Sequence, residues 1–111
     1  MKIEYTDAFK RQLRKLSRRY RHIRQDLDPL IAQLQNGTTP GNQVSGLGYT
    51  LYKARLRNRD NRRGKSGGYR VIYYLQSRDK IILVTIYSKS DQADIRAVEI
   101  RRIISSFENI R

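Results

Sequence analysis

The sequence has no cysteine and no tryptophan, and its 111 residues include one histidine, one methionine and two prolines. Without cysteine, a disulfide framework, a thiolate metal site and a cysteine nucleophile are all excluded. A single histidine also excludes a catalytic histidine pair. No apolar run approaches the roughly 20 residues of a membrane-spanning helix, and no apolar segment of signal-peptide length follows the first residue. We therefore expect a cytoplasmic protein that does not enter a membrane.

Negative charge is scarce as well, because 10 Asp and Glu residues oppose 24 Lys and Arg residues and leave a formal net charge of +14. The length fits a single domain, covering residues 1–111, with one modest core. A charge of this size favours a polyanionic or acidic partner, such as nucleic acid, a membrane surface or an acidic protein. Composition alone does not choose among these partners.

The few carboxylates are scattered along the chain. Metal-dependent nuclease chemistry needs several oxygen ligands at one point, and only Asp26 with Asp28 and Asp91 with Asp94 come close together in the sequence. We therefore expect no metal site and no cofactor. The histidine, His22, has no second base near it in sequence, so we expect a solvated turn residue rather than a catalyst.

The basic residues are distributed unevenly. Eight lie between residues 10 and 24, eight lie between residues 53 and 70, and the other eight are dispersed over Lys2 and residues 78–111. None occurs between residues 25 and 52. An anionic partner should therefore contact the first group, the central group, or both.

Hydrophobic periodicity predicts a strand over residues 2–6 and then two helices. Either Thr6 or Asp7 caps the first helix, and a kink or restart is expected in the second helix at Asp28–Pro29. Residues 36–48, rich in Gly and Pro, should form a loop. The first helix presents an apolar face opposite a face of Arg and Lys, and that apolar face consists of Phe9, Leu13, Leu16 and Tyr20.

Three further strands are predicted. The first, over residues 49–57, should bury one face and present a row of cations on the other. Residues 58–68 form a basic hairpin connection, and the β-branched and aromatic runs at 69–76 and 80–89 should be central strands. In the strand over residues 49–57, the predicted buried face is Tyr52, Ala54 and Leu56, and the opposite face is Leu51, Lys53, Arg55 and Arg57.

A final helix closes the predicted fold, with Asp91 as its candidate N-cap. The order β-α-α-β-β-β-α predicts a small α+β domain whose helices cover an antiparallel-rich sheet. The apolar stripe of the final helix is Ala93, Ala97, Ile100, Ile104 and Phe107.

Arg, Lys and Tyr are the residues left for chemistry, and they suit the stabilisation of charge that develops on a phosphate. RNA carries its own nucleophile, the 2′-hydroxyl beside the scissile phosphate, so a protein can accelerate cleavage by aligning the two and neutralising the phosphorane. Neighbouring cations would also lower the pKa of a Lys or Tyr, which could then act as a general base or acid. The expected products are a 2′,3′-cyclic phosphate and a 5′-hydroxyl, formed without a metal.

Three segments carry a resemblance to a known family, namely YKARL at residues 52–56, GKSGGYRVIYY at 64–74 and IYSKSDQADI at 86–95. In their order and intervals the chain resembles, nearly from end to end, the RelE/HigB branch of the RelE/ParE toxins, which are ribosome-dependent mRNA interferases of type II toxin–antitoxin modules. The resemblance implies a RelE-like fold and a toxin that inhibits translation by cleaving mRNA in the ribosomal A site. It implies the ribosome with its mRNA as partners, and a cognate antitoxin with an acidic segment or a helix-turn-helix fold.

The resemblance also implies roles for particular residues. Lys53 and Arg55 match the alternating basic residues of the family's second strand, and Arg70 matches an arginine of its third strand; in the family these surround the scissile phosphate. Lys89 matches the basic residue after the fourth strand, a stabiliser of transition-state charge or a proton donor. The C-terminal catalytic Tyr of some RelE proteins has no counterpart in the final helix. Tyr87, two residues before Lys89, is therefore our substitute for the general base.

Other basic residues are predicted to hold RNA without reading its sequence, although a solvated surface is the alternative explanation for strand and helix cations alike. A solvated surface explains Arg70 less well than it explains the other cations, because a cation in so apolar a strand must pair with an acid or face an open cleft. Two other functions stay open, a basic RNA- or ribosome-binding protein without chemistry and a ParE-like gyrase inhibitor. The predicted RNA-holding residues are Arg57, Arg62, Arg63 and Lys65 in the central group and Lys10, Arg11, Arg14, Lys15 and Arg18 on the first helix.

Overall fold

A mixed sheet of five strands forms the centre of the fold, and helices pack on both of its faces. The computed structural model describes residues 1–61 and 67–110. No helix in these ranges is long and apolar enough to cross a membrane. In chain order the elements are β1 (Lys2–Tyr5), α1 (Asp7–Ser17), α2 (Ile23–Gln35), β2 (Asn42–Val44), β3 (Leu51–Leu56), β4 (Tyr69–Ser77), β5 (Lys80–Ser88) and α3 (Ala97–Ile110).

The strands lie in the order β1-β5-β4-β3-β2. β1 pairs with β5 in parallel, and every other neighbouring pair is antiparallel. The two longest strands, β4 and β5, have nine residues each and are mostly buried, as expected for β-branched and aromatic runs with cover on both faces. The predicted α+β fold with an antiparallel-rich sheet is confirmed.

A short strand, β2, lies inside the segment predicted as a loop over residues 36–48. It pairs with β3, where Val44 lies opposite Leu51. Gly41, just before it, has a φ of +99°, and a Cβ there would lie 2.3 Å from the carbonyl oxygen of Lys53. The close approach of the two chain segments therefore requires glycine. A strand of three residues has too little alternation to be predicted, so the loop prediction is incomplete.

The predicted buried face of β3 is confirmed. Ala54 and Leu56 are buried, and Tyr52 is partly buried against the same core. That core is completed by α1 and α2, whose apolar residues pack on this face of the sheet. The helical contributions are Phe9, Leu13 and Leu16 from α1 and Ile23, Leu27, Leu30 and Leu34 from α2.

The opposite face of β3 is only in part the predicted row of cations. Leu51 is fully buried there, in a second core with Ile100 and Ile104 of α3. Lys53 and Arg55 follow on the same face of the strand, because side chains alternate with a period of two. The sheet thus has one face covered by α1 and α2, and a second face that α3 covers in part.

The second helix is continuous, so the predicted restart at Asp28–Pro29 is wrong. Pro29 lies within α2 and is exposed, while Leu27 and Leu30 on either side of it are buried. Packing of these leucines against the sheet maintains the helix through the proline, because burial of an apolar face outweighs local propensity.

The last helix begins later than predicted, because α3 starts at Ala97 and Asp91 is not its N-cap. Asp91 instead accepts hydrogen bonds from the guanidinium of Arg19, at 2.9 and 2.8 Å. Ala93 therefore lies outside the helix. The rest of the predicted stripe is confirmed at Ile100 and Ile104, which are buried, and at Phe107, which packs against the same core; it is wrong at Ala97, which is exposed.

Thr6 is the N-cap of α1 and ties the helix to the sheet. Its hydroxyl oxygen accepts a hydrogen bond from the Phe9 N–H at 3.0 Å, and its O–H donates to the Val84 carbonyl at 2.6 Å. The Thr6 side chain therefore satisfies one group of the helix and one group of β5 at a buried position.

Replacement of Thr6 by alanine should lower the free energy of unfolding by about 2 kcal/mol, because it removes the helix cap and leaves a buried carbonyl without its donor. Urea denaturation measures the difference. Thr6→Ser is the matched control and should lose far less, since it keeps the hydroxyl. Equal stability of the alanine and serine variants would contradict this assignment.

Candidate active site

A row of polar side chains crosses the centre of the sheet on the face that α3 covers in part. The register places Arg55 of β3 opposite Arg70 of β4, and Arg70 opposite Tyr87 of β5. Side chains directly opposite one another in a sheet lie on the same face. The prediction that Arg55, Arg70 and Tyr87 share a site is therefore consistent with the register of three adjacent strands.

Gly68 allows β4 to begin so close to β3. A Cβ at Gly68 would lie 1.9 Å from the carbonyl oxygen of Leu56, a distance that no side chain tolerates. The same glycine accepts a hydrogen bond from the Lys89 backbone N–H at 2.8 Å through its carbonyl. The GGYR segment thus fixes where Arg70 enters the sheet.

Arg70 is buried, with 5% of its surface exposed. One of its terminal N–H groups donates to the Tyr69 carbonyl at 3.2 Å. Burial lowers the pKa of the Arg70 guanidinium, and repulsion by Arg55 lowers it further, whereas Tyr87 acts in the opposite direction. Two like charges are thus held opposite one another, one of them desolvated, an arrangement that an approaching anion would relieve.

Tyr87 is also buried, with 2% of its surface exposed, and its hydroxyl donates to Asp94 Oδ1 at 3.2 Å. Burial, followed by the charge of Asp94 and the hydrogen bond to it, raises the pKa of Tyr87 to about 12. The nearby Arg70 lowers it, but by less. The expectation that surrounding cations would lower this pKa is therefore wrong, because desolvation and a carboxylate dominate.

Asp94 accepts hydrogen bonds from both Tyr87 and Lys53, which is the third predicted cation of the site. Lys53 Nζ donates to Asp94 Oδ1 at 2.7 Å, and the backbone N–H of Ile95 donates to the same oxygen at 2.8 Å. The hydrogen bond from Lys53, then that from Ile95, lowers the pKa of the Asp94 carboxyl. Sequence analysis missed this residue, and its position three residues after Asp91 suggested only a weak metal pair.

Lys89 lies just beyond the end of β5 and is partly buried. Its ammonium group donates to the carbonyl of Ala93 at 2.6 Å. The side chain thus supports the segment between β5 and α3 that carries Asp94.

His22 pairs with the carboxylate of Asp60. His22 lies at the start of α2, where its backbone N–H donates to Asp60 at 2.9 Å and its Nδ1 lies 2.7 Å from the same carboxylate. These two hydrogen bonds lower the pKa of the Asp60 carboxyl. Within residues 1–61 and 67–110, no three His, Cys, Asp or Glu side chains are grouped so that they could hold a metal ion.

A comparison with protein families gives the chain its family. The family model described as RelE toxin of RelE / RelB toxin-antitoxin system matches residues 1–107. The chain belongs to the RelE toxin family. It is therefore a toxin of a toxin–antitoxin system, in a family whose members generally cleave mRNA and are paired with an antitoxin.

Among the described residues of this RelE-family toxin, the predicted RNA-holding cations lie on the surface. Arg57 is exposed just after β3. The predicted RNA-holding residues Arg62, Arg63 and Lys65 lie outside the described residues. The predicted cations of the first helix are all exposed, and these are Lys10, Arg11, Arg14, Lys15 and Arg18.

Clefts beside α1 connect some of these helix cations with Tyr87. A cleft of about 580 Å³ between α1 and α3 is lined by Lys10, Arg11 and Tyr87. A smaller one of about 330 Å³ is lined by Lys15, Arg19 and Tyr87. The basic face of α1 therefore borders the same tyrosine that ends the cationic row of the candidate site.

Replacement of Arg55 by glutamine should raise the free energy of unfolding by about 0.5 kcal/mol in low salt, because like charges opposite one another in a sheet are destabilising. The gain should shrink as salt screens the pair. Urea denaturation at two salt concentrations measures it. Arg57→Gln, which removes a charge outside the β3–β4 register, is the control. A loss of stability in Arg55→Gln, with Arg57→Gln unchanged, would contradict repulsion at this position.

Proposed function

We propose that this toxin is a ribosome-dependent mRNA interferase, an endoribonuclease that cuts mRNA in the ribosomal A site and so stops translation. The observation that carries the proposal is the row of Arg55, Arg70 and Tyr87 across three strands, with Lys53 beside it. Three cations on one sheet face, one of them desolvated, form a site for a phosphate and its developing charge.

In the proposed reaction the 2′-hydroxyl of the RNA gives its proton to solvent water as its oxygen attacks the adjacent phosphorus, and the bond to the 5′-oxygen of the next nucleotide breaks. Arg55, Arg70 and Lys53 neutralise the charge that accumulates on the phosphorane oxygens. The products are a 2′,3′-cyclic phosphate and a 5′-hydroxyl. The substrate supplies the nucleophile and the protein supplies alignment and positive charge, so the mechanism requires no metal.

Tyr87 has a different proposed role from the general base inferred from the sequence. With its pKa raised to about 12, the phenol keeps its proton at neutral pH. A protonated phenol beside the phosphate site can donate that proton to the departing 5′-oxygen, which is the work of a general acid. Lys89, bound to Ala93, supports the segment beside the site and adds positive charge to it.

The proposed dependence on the ribosome is supported by the burial of aromatic side chains that could otherwise stack on RNA bases. Three of its tyrosines, Tyr69, Tyr73 and Tyr74, are buried in the sheet and cannot stack on unpaired bases. Sequence-specific recognition of single-stranded RNA usually relies on such stacking. We infer that the ribosome holds the mRNA in position and that the exposed cations of α1, with Arg57, contact ribosomal RNA.

The antitoxin is proposed to neutralise the toxin through charge. An acidic segment laid across Arg55 and Arg70 would occupy the phosphate site and relieve the repulsion between the two guanidinium groups. A helix-turn-helix portion of the antitoxin would leave such a segment free to do this.

Cleavage by charge variants tests the proposal. Translating ribosomes are incubated with each protein, and the mRNA ends are mapped by primer extension. Wild type should give cuts phased with codons. Arg55→Ala and Arg70→Lys should each cut at least about 100-fold more slowly. Arg55→Ala removes a donor to the transition state, and Arg70→Lys keeps the charge but loses the paired donors of the guanidinium. Circular dichroism establishes that each variant is folded.

Arg78→Ala is the matched control, since it removes one exposed cation at the turn between β4 and β5. It should cut like wild type. Ribosome binding without cuts by the wild type would instead indicate a non-catalytic binding protein. Comparable cutting of naked RNA would contradict ribosome dependence, and inhibition of gyrase without RNA cuts would place the function with the ParE toxins.

A further inference from the structure

We propose that Asp94 is a positioning residue of the cleavage site, because its Oδ1 accepts hydrogen bonds from both Lys53 and Tyr87 and so fixes the two side chains relative to each other. The inference rests on the proposed function and adds a residue to it. Asp94 lies between β5 and α3, outside the three strands that carry the cationic row. It joins a side chain of β3 to a side chain of β5 across the intervening β4.

The geometry around one oxygen atom supports this role. Asp94 Oδ1 lies 2.7 Å from Lys53 Nζ and 3.2 Å from the Tyr87 hydroxyl. A third donor, the Ile95 backbone N–H at 2.8 Å, holds the carboxylate itself in place. Three donors on one oxygen orient this carboxylate, although its side chain is 62% exposed, and charge-assisted bonds of this kind are the stronger ones.

The segment that carries Asp94 is held by its own side chains, although it is neither helix nor strand. Lys89 Nζ donates to the Ala93 carbonyl at 2.6 Å, and the Gln92 side-chain amide donates to the Asp94 carbonyl at 3.0 Å. Nearer β5 in the same segment, the Asp91 carboxylate forms an ion pair with the Arg19 guanidinium. The carboxylate is therefore presented from a braced position rather than from a free loop, which positioning requires.

The hydrogen bonds to Asp94 leave both Lys53 and Tyr87 able to act on RNA. A lysine ammonium has three donors, so Lys53 can give one to Asp94 and still offer two to phosphate oxygens. The Tyr87 hydroxyl donates a hydrogen bond to the Asp94 carboxylate, which keeps the phenol oxygen in place and leaves the proton on it. Rotation about the C–O bond then turns the same O–H group toward the leaving oxygen, which takes the proton. Asp94 thereby ties the position of a phosphate ligand to that of a proton donor.

Cleavage by Asp94 variants is the first test, on the same mRNA-programmed ribosomes. Asp94→Ala should lower the saturated cleavage rate by at least about tenfold, because general-acid geometry is lost, while half-saturation by ribosomes changes less than about twofold. Asp94→Asn should retain part of the wild-type cleavage rate, since its amide oxygen still accepts hydrogen bonds. Asp28→Asn removes the same charge from the exposed face of α2 and should match wild type.

The second test reads Tyr87 without relying on cleavage. Tyrosine labelled with ¹³C at Cζ is titrated by NMR, and Tyr87 is assigned by Tyr87→Phe. The charged groups that act on this phenol are Arg70, Asp94 and, through Asp94, Lys53. The clefts beside it are also lined by charged groups of the neighbouring elements, namely Asp7, Lys10, Arg11, Lys15, Arg19, Asp91, Glu99 and Arg102. Asp94→Ala removes the anion and leaves the cations, so the Tyr87 pKa should fall from about 12. The alkaline limb of the pH–rate profile should move to lower pH with it.

The outcomes separate the inference from the function on which it rests. If wild type cuts mRNA but Asp94→Ala cuts equally fast, or faster with tighter ribosome binding, the carboxylate is dispensable or competes with phosphate, and the inference is overturned. An unmoved Tyr87 pKa in Asp94→Ala would overturn it as well. If wild type cuts no mRNA, the proposed function fails, and the titration alone decides whether Asp94 governs Tyr87.

Discussion

The antiparallel register of β3, β4 and β5 determines the positions of Lys53, Arg55, Arg70 and Tyr87. Side chains alternate between the faces of a strand, so the register that aligns Arg55, Arg70 and Tyr87 also sends Leu56 and Tyr69 into the core beneath α1 and α2. A slip of one residue would turn the cations into that core. The packing that stabilises the fold therefore also brings this row of side chains together.

This register has an unfavourable consequence, which the proposed binding of an RNA phosphate would offset. Two guanidinium groups face each other, and burial together with repulsion lowers the pKa of Arg70. A sheet selected for stability alone would carry an apolar or acidic residue at one of the two positions. Active sites commonly retain such local destabilisation, because binding of the substrate relieves it.

Most of the fold could be predicted from periodicity, and the errors have local physical causes. The alternation in β3 and the helical spacing in α1 correctly indicated which faces are buried. The errors concern elements that long-range packing decides. β2 is too short to carry a pattern and depends on Gly41, α2 continues through Pro29 because its leucines are buried, and α3 begins only at Ala97.

The site was predictable to the extent that it depends on strand alternation. Arg55 and Arg70 stand in strands with strong patterns, and the resemblance to the RelE toxins pointed to the same residues. Asp94 could not be found in this way, because its contact with Lys53 joins residues 41 positions apart through an irregular segment. The error about the Tyr87 pKa has the same origin, since the sequence reveals nearby cations but neither burial nor that carboxylate.

The chemistry of cleavage is the sharpest test of whether positive charge acts on a reaction whose nucleophile comes from the RNA itself. An mRNA with a single 2′-O-methyl group at the nucleotide before the cut is programmed into ribosomes alongside its unmodified counterpart. The account predicts that the toxin cuts the unmodified mRNA, leaving a 2′,3′-cyclic phosphate, and does not cut the methylated one at that position. Cleavage of the methylated mRNA at the same site and rate would contradict the account.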